Sequence, residues 1–177
     1  MSERFSVSLE VTIRRAGEAD LRQLEWFGAF THHRQIIRDA FEAQGRGEAV
    51  MLLADVRGFP VGQAWLELAP KPDSATPAVW AVRVIEPLQE LGIGERLMAA
   101  VEAAALALGQ AELELAVEKH NPRARRFYER LGWRVRRERR EAYGYVPPDG
   151  APAAHALDEW VLGKRLRPGS GDSPTRR

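Results

Sequence analysis

The residues best suited to chemistry lie in one stretch, Val82-Arg83-Val84-Ile85-Glu86-Pro87-Leu88-Gln89-Glu90-Leu91-Gly92-Ile93-Gly94-Glu95-Arg96-Leu97. An apolar run gives way there to two closely spaced glycines and then to a helical pattern. At such a junction the backbone amides of the first helical turn face outward at the positive end of the helix dipole, which makes an anion site. Glycines at 92 and 94 let a diphosphate approach the main chain with no Cβ in the way. A Walker loop needs Gly-Lys-Ser/Thr, and Gly94 is followed by Glu95 and Arg96, so that reading fails. A dinucleotide fingerprint needs Gly or Ala where Leu97 stands; Glu114 is spaced for a ribose contact but falls inside a strand. The third pattern, Gln-x-x-Gly-x-Gly, is met by Gln89, Gly92 and Gly94.

A second motif follows in the string AVEKHNPRARRFYERLGW, with Asn121, Ala124, Tyr128 and Leu131-Gly132-Trp133 at fixed offsets. Together the two motifs, over residues 79 to 133, resemble the GNAT acyltransferase superfamily. Its acyl-CoA loop reads Arg/Gln-x-x-Gly-x-Gly/Ala, and its later helix carries Asn-x-x-Ala-x-x-x-Tyr before Leu-Gly-Phe. The resemblance implies an α+β fold: a mixed, mostly antiparallel central sheet flanked by helices, with a splayed parallel strand pair holding the acyl-CoA. It also implies transfer of acetyl from acetyl-CoA, as co-substrate, to a primary amine by direct attack in a ternary complex. The acetyl group is the family's usual one; a longer acyl group would leave the same motifs.

By the same resemblance Val82, Arg83 and Val84 form the splayed strand whose main chain pairs with the pantetheine and polarises the thioester carbonyl. Glu90, Leu91, Gly92, Ile93, Gly94 and Glu95 cradle the diphosphate with backbone amides, Gln89 lies beside them, and Asn121 holds the pantetheine arm. Tyr128 stands at the sulfur as the acid that protonates the leaving thiolate. The chemistry is consistent with those roles. An amine attacking a thioester builds an oxyanion best stabilised by a preorganised backbone donor. Phenols titrate near pH 10 and thiols near 8.5, so a tyrosine is protonated at neutral pH and available to the thiolate. No metal and no protein nucleophile is needed.

The sequence departs from the family in two places. Pro87 stands one position after the family's usual proline, where this chain has Glu86. Ala78 and Ala116 occupy strand positions at which some members carry a catalytic glutamate. Glu67, Glu118 and His120 remain as candidates for the general base, with a water chain as the alternative. Plainer readings stand beside each: Glu67 and Glu118 as solvated strand residues, Tyr128 as a core tyrosine beside Phe127, and Asn121 as a helix N-cap. His32, His33 and the Glu118/His120 pair lack third and fourth partners nearby in sequence and read as solvated or capping histidines rather than zinc ligands.

These residues need elements to hold them. Short apolar runs at 11–14, 49–56, 60–68, 78–85 and 112–117 predict strands. Asp55-Val56-Arg57-Gly58-Phe59-Pro60 predicts a tight hairpin between the second and third. Helices are expected at 18–29, 33–43, 93–108 and 121–131, the last bounded by Asn121-Pro122 and Gly132. Strand, glycine turn, helix and strand from 78 to 117 make a right-handed parallel crossover. Two further strands, 133–142 and 157–166, flank the loop YGYVPPDGAPAAHA, whose Tyr143 and Tyr145 are candidates for the acceptor pocket. The expected domain spans 1–167, with a disordered tail at 168–177.

The 177 residues carry 26 basic and 25 acidic side chains, a net charge of +1, so no bulk field draws nucleic acid or an anionic membrane. The run Arg134, Arg136, Arg137, Arg139, Arg140 then reads as a charged edge strand before it reads as a nucleic-acid patch. There are no cysteines, which excludes disulfides, iron–sulfur clusters and an acyl-cysteine intermediate. No run reaches the roughly 20 apolar residues of a membrane span, and MSERFSVSLE has no signal-peptide core, so the expectation is cytoplasmic. The acceptor is a small-molecule or peptide amine, and the strands after Gly132 offer an edge for a homodimer. The rival from another class is a non-catalytic acyl-CoA-binding module, motivated by the alanines at 78 and 116.

Overall fold

The computed structural model describes residues 3–6, 8–70, 74–145 and 153–167, and the side chains of all of these except 141–156. Seven strands form one sheet in the order β1-β2-β3-β4-β5-β7-β6. They are β1 (Thr12–Arg15), β2 (Ala49–Val56), β3 (Phe59–Glu67), β4 (Ala78–Val84), β5 (Glu112–Glu118), β6 (Arg134–Tyr145) and β7 (Ala153–Arg165). The helices are α1 (Arg34–Gly45), α2 (Ile93–Ala107) and α3 (Pro122–Arg130). Every strand pair is antiparallel except β4 and β5, the pair joined by α2.

Alternation along the central strands sorts two apolar clusters. Val50, Leu52 and Ala54 of β2 meet Leu97, Met98 and Val101 of α2, and that cluster continues across β5 to Leu113, Leu115, Trp133 and Leu162. Met51 and Leu53 face the other way, toward Trp65 and the Ile37 and Ala40 of α1. Both faces of β2 are therefore covered, which is why it reads as an unbroken apolar run. The predicted hairpin closes with Arg57 at φ 52° and Gly58 at φ 85°, the twist that suits a two-residue connection, and Asp55 accepts from the Gly58 amide at 2.8 Å.

The helix expected at 18–29 does not form. Two short 3-10 turns, Glu18–Asp20 and Gln23–Glu25, occupy its place, and Trp26 and Phe27 take positive φ values of 40° and 57°. The apolar spacing of this segment looks helical, but tertiary bonds outweigh propensity. Trp26 is buried and donates its indole N–H to the carbonyl of Pro60 at 2.8 Å. The buried Glu25 accepts from Arg34 at 2.7 and 2.9 Å and from Thr31 at 3.0 Å.

The other helices keep their predicted places within two residues. The two last strands run further into the proline-rich segment than expected, pairing as far as Tyr145 opposite Ala153. The rest of that segment, the side chains of Tyr143 and Tyr145, and the predicted tail at 168–177 lie outside the described residues. β6 is an edge strand, and its arginines pair across the sheet: Arg136 with Glu112, Arg137 with Glu114, Arg139 with Glu159 and Arg140 with Asp158. No described helix is long and apolar enough to cross a membrane.

A second ion network fixes the opposite edge. Arg14 of β1 donates to both oxygens of buried Asp20 at 2.7 Å and to Asp55 at 2.6 Å, while the Gly17 amide donates to Asp20 at 2.7 Å. Those bonds, Arg14 foremost, hold the Asp20 carboxyl below its ordinary range. Its folded pKa is depressed, so this stability is present above the unfolded value near 3.9 and is lost as pH falls through the folded value. Arg14→Ala, which strands Asp20 without its cation, is expected to cost about 2 kcal/mol in urea unfolding at pH 7, with the deficit shrinking as acid protonates Asp20. A deficit that stays constant through the protonation of Asp20, followed by NMR, would show that the pair contributes nothing ionic.

Candidate active site

β4 and β5 pair only at Ala78 with Glu114 and Val79 with Leu115. Beyond that point they diverge. The divergence coincides with a register shift on β3 between Gln63 and Trp65 and with Ala81 at φ 52°, a bulge that turns β4 away from its partner. Gly62 allows the close approach on the β3 side, where an added Cβ would sit 3.2 Å from the Arg83 carbonyl and 3.1 Å from Leu97.

Two clefts open from this wedge. The first, about 450 Å³, lies between the parted strands, with Trp80, Arg83, Glu118, Tyr128, Arg139 and Glu159 among its walls. The second, about 690 Å³, lies between the β4–α2 loop and α3. Val82, Asn121, Ala124 and Tyr128 border both, so the two make one continuous channel along the end of β4.

The second cleft has the features of an anion site. Gly92 caps α2 at φ 81° with no side-chain bond to the first turn, which leaves the amides of that turn pointing outward. Glu90 also takes a left-handed φ, 64°, uncommon for a residue with a Cβ. The loop is tied down on both sides. Gln89 donates to the Val84 carbonyl at 2.9 Å, and Arg123 of α3 reaches Glu90 at 3.1 Å and Gln89 at 3.3 Å. Gly94 is the close approach, since a Cβ there would lie 3.3 Å from the ring of Phe127. Gly92, Gly94, Gln89, Glu90 and Glu95 line this cleft, whereas Ile93 is buried in the core and Leu91 is exposed. Arg123, Arg126 and Arg130 form its far wall. Their i, i+3, i+7 spacing on α3 was the sequence signal for that cationic stripe, hidden within a generally arginine-rich chain.

Tyr128 stands where the clefts meet. It is 8% exposed, packs edge-on to Phe127 and Trp133, and burial pushes its phenol up to about 12. Among the described residues none hydrogen-bonds its hydroxyl. Asn121 caps α3, accepting from the Ala124 amide at 3.0 Å, and leaves its amide nitrogen for the channel.

The candidate bases divide. Glu118 lines the first cleft, lies opposite Glu159 in the β5–β7 register, and is 3.0 Å from the exposed His120. Glu67 sits at the end of β3 opposite Ala78 and is not among the residues lining either cleft. Two buried carboxylates also line the first cleft, Glu114, weighed in the sequence only for a ribose contact, and Glu159, which the sequence reading did not name, with Arg137 and Arg139 as their partners. Their arginines arrive from β6, Arg137 23 residues after Glu114 and Arg139 20 residues before Glu159, so no local motif marks them.

Among proteins of curated function, none matches the chain by sequence. Its fold is that of solved acetyltransferases. An N-acetyltransferase from Staphylococcus aureus superposes with a TM-score of 0.67 at 16% identity, over 89% of this chain and 99% of that one. NAA60 of Arabidopsis thaliana, solved with acetyl-CoA, gives 0.65 at 17% identity over 89% and 99%. A GNAT acetyltransferase of Elizabethkingia anophelis, also with acetyl-CoA, gives 0.64 at 17% over 88% and 98%. The sequence model of the acetyltransferase (GNAT) family matches residues 18–133, which contain the parted strands, the glycine loop and the Tyr128 helix. The chain is thus a member of the GNAT acetyltransferase family.

Proposed function

We propose that the protein is an N-acetyltransferase that takes acetyl from acetyl-CoA and passes it to a primary amine by direct attack. The observation that carries this reading is the continuous channel: an amide-lined anion cradle at one end, a parted strand pair in the middle, and a buried phenol between them. The cradle fits a CoA diphosphate. Its helix amides are uncapped, three arginines face it, and a Cβ at Gly94 would fill it. Acetyl-CoA supplies the activated acyl carbon; the chain supplies everything that orients it.

In that role the main chain of Val82 to Val84, freed from β5, offers its amides and carbonyls to the pantetheine and to the thioester oxygen. Asn121 steadies the arm with its side-chain amide. Glu118, which lines the first cleft, takes the proton that the amine loses on attack. Tyr128 holds the proton destined for the departing sulfur.

A calorimetric titration tests the reading. Acetyl-CoA and free CoA are expected to bind one per chain, and NAD, which shares the diphosphate but not the pantetheine, at least about tenfold more weakly. Equal binding of NAD would reduce the channel to a general diphosphate site. No binding of either CoA species would remove the enzyme assignment. Acetyl-CoA binding without transfer to any amine would favour an acyl-CoA-binding module.

A further inference from the structure

The first cleft carries a charge that the described residues leave without a counter-ion. Arg83 is half-buried in its wall, and desolvation lowers its pKa. Its described neighbours are the face of Phe30, 4.3 Å from the guanidinium carbon, and Nδ1 of His33 at 3.3 Å. No carboxylate among the described residues pairs with it, although the other arginines of this face, Arg137 and Arg139, each have one. A half-buried guanidinium whose described partners are a ring and an imidazole lacks the counter-charge that normally offsets its desolvation.

The surroundings of Arg83 repeat that deficit. Its register partner on β3 is Gln63, 2% exposed, whose side-chain oxygen has no partner among the described residues. The next pair on the same face is Trp65 with Trp80, packed edge to face at 4.8 Å, and neither buried indole N–H finds an acceptor among the described residues. Three orphan groups beside one orphan cation are rare in a folded protein. Donors dominate the set, so its natural complement is an anion. Across the cleft Glu118 of β5 stands opposite Glu159 of β7, where Glu159 is paired with Arg139 and Glu118 lies beside His120. Among the described charges lining the cleft, Arg83 is the one with no carboxylate partner.

We infer that the acceptor is a small primary amine that also bears a carboxylate, an amino acid, with its carboxylate received by Arg83 and its amine directed to the Glu118 side. The inference rests on the proposed function and names the acceptor class. Arg83 suits this role because β4 alternates. Val82 and Val84 turn toward the α2 core, so the Arg83 side chain leaves on the opposite face while its main chain stays in the channel wall. Polyamines and other polycations lacking an anionic group would place positive charge against Arg83 and are disfavoured.

The experiment follows CoA release with a thiol reagent, which the cysteine-free chain cannot itself consume, for amino acids paired with their carboxamides. The amide has the less basic amine and so more of the reactive neutral form; preference for the acid therefore reads the carboxylate. Wild-type protein is expected to use the acid at least about tenfold better in kcat/KM, the scale of one charge-assisted hydrogen bond. Arg83→Gln should bring the ratio to within about twofold of unity, and Arg83→Lys should retain part of it. A wild-type ratio at or below one, a ratio insensitive to Arg83→Gln, or acetyl-CoA binding with no transfer to any carboxylate-bearing amine would overturn the inference while leaving the proposed function in place. Failure to bind acetyl-CoA would instead remove the proposed function and this inference with it. If Arg83→Gln does not fold, the wild-type ratio and the lysine variant decide.

Discussion

Gly94→Glu is expected to weaken acetyl-CoA binding by at least about a hundredfold, roughly 2.8 kcal/mol, while the protein stays folded. Two costs combine. The first methylene already meets the Phe127 ring at 3.3 Å, so α3 must shift or the new side chain must turn into the cleft. If it turns in, its carboxylate sits at the outward-facing amides of α2 and fills the anion site with the protein's own charge. Calorimetry measures the affinity, and a circular-dichroism melt separates lost binding from lost structure. Affinity within threefold of wild type would place the diphosphate elsewhere and dismantle the channel argument at its base.

Tyr128→Phe is the second large effect. The ring remains to pack against Phe127 and Trp133, so acetyl-CoA affinity should hold within about threefold. The turnover number should drop by about a hundredfold, the lower range for removing a positioned general acid. Its pH behaviour carries the sign. Burial raises the folded pKa to about 12 against roughly 10 when unfolded. The neutral phenol therefore contributes stability fully present below pH 10 and lost as pH rises from 10 to 12. That alkaline loss should be smaller in Tyr128→Phe. A phenol near 12 is a weak donor to a thiolate near 8.5 in water, but a thiolate leaving into the same dry channel is raised by the same desolvation, which narrows the gap. Unchanged turnover would return Tyr128 to a packing role.

Much of this was legible from spacing. Gln89, Gly92 and Gly94 sit where a strand hands over to a helix, and glycine positions expose backbone requirements directly. Asn121-Pro122 and Gly132 bracket α3 because capping chemistry is local. What stayed hidden depends on residues distant in sequence. Trp26 could not announce that its indole would bond Pro60 and break the expected helix. Arg83 is marked only for its main chain in the splayed strand; the missing partner of its side chain is a fact about the face it shares with Gln63. The buried Glu114 and Glu159 look like surface glutamates until β6 brings its arginines alongside. The bulge at Ala81, which creates the wedge, has no glycine to mark it.

The brevity of the β4–β5 pairing also bears on stability. Two residue pairs are all that join one half of the sheet to the other through main-chain bonds, while the common core beneath α2 spans both halves. A seam of that kind is the least self-sufficient line in the molecule. On the proposed function, acetyl-CoA lying along it would offer β4 the hydrogen bonds that β5 does not, as a surrogate strand. Occupancy then adds to the equilibrium unfolding free energy of the protein, by an amount that grows with the logarithm of ligand concentration once that exceeds the dissociation constant. The protein's resilience to heat becomes a reading of how much acyl donor surrounds it.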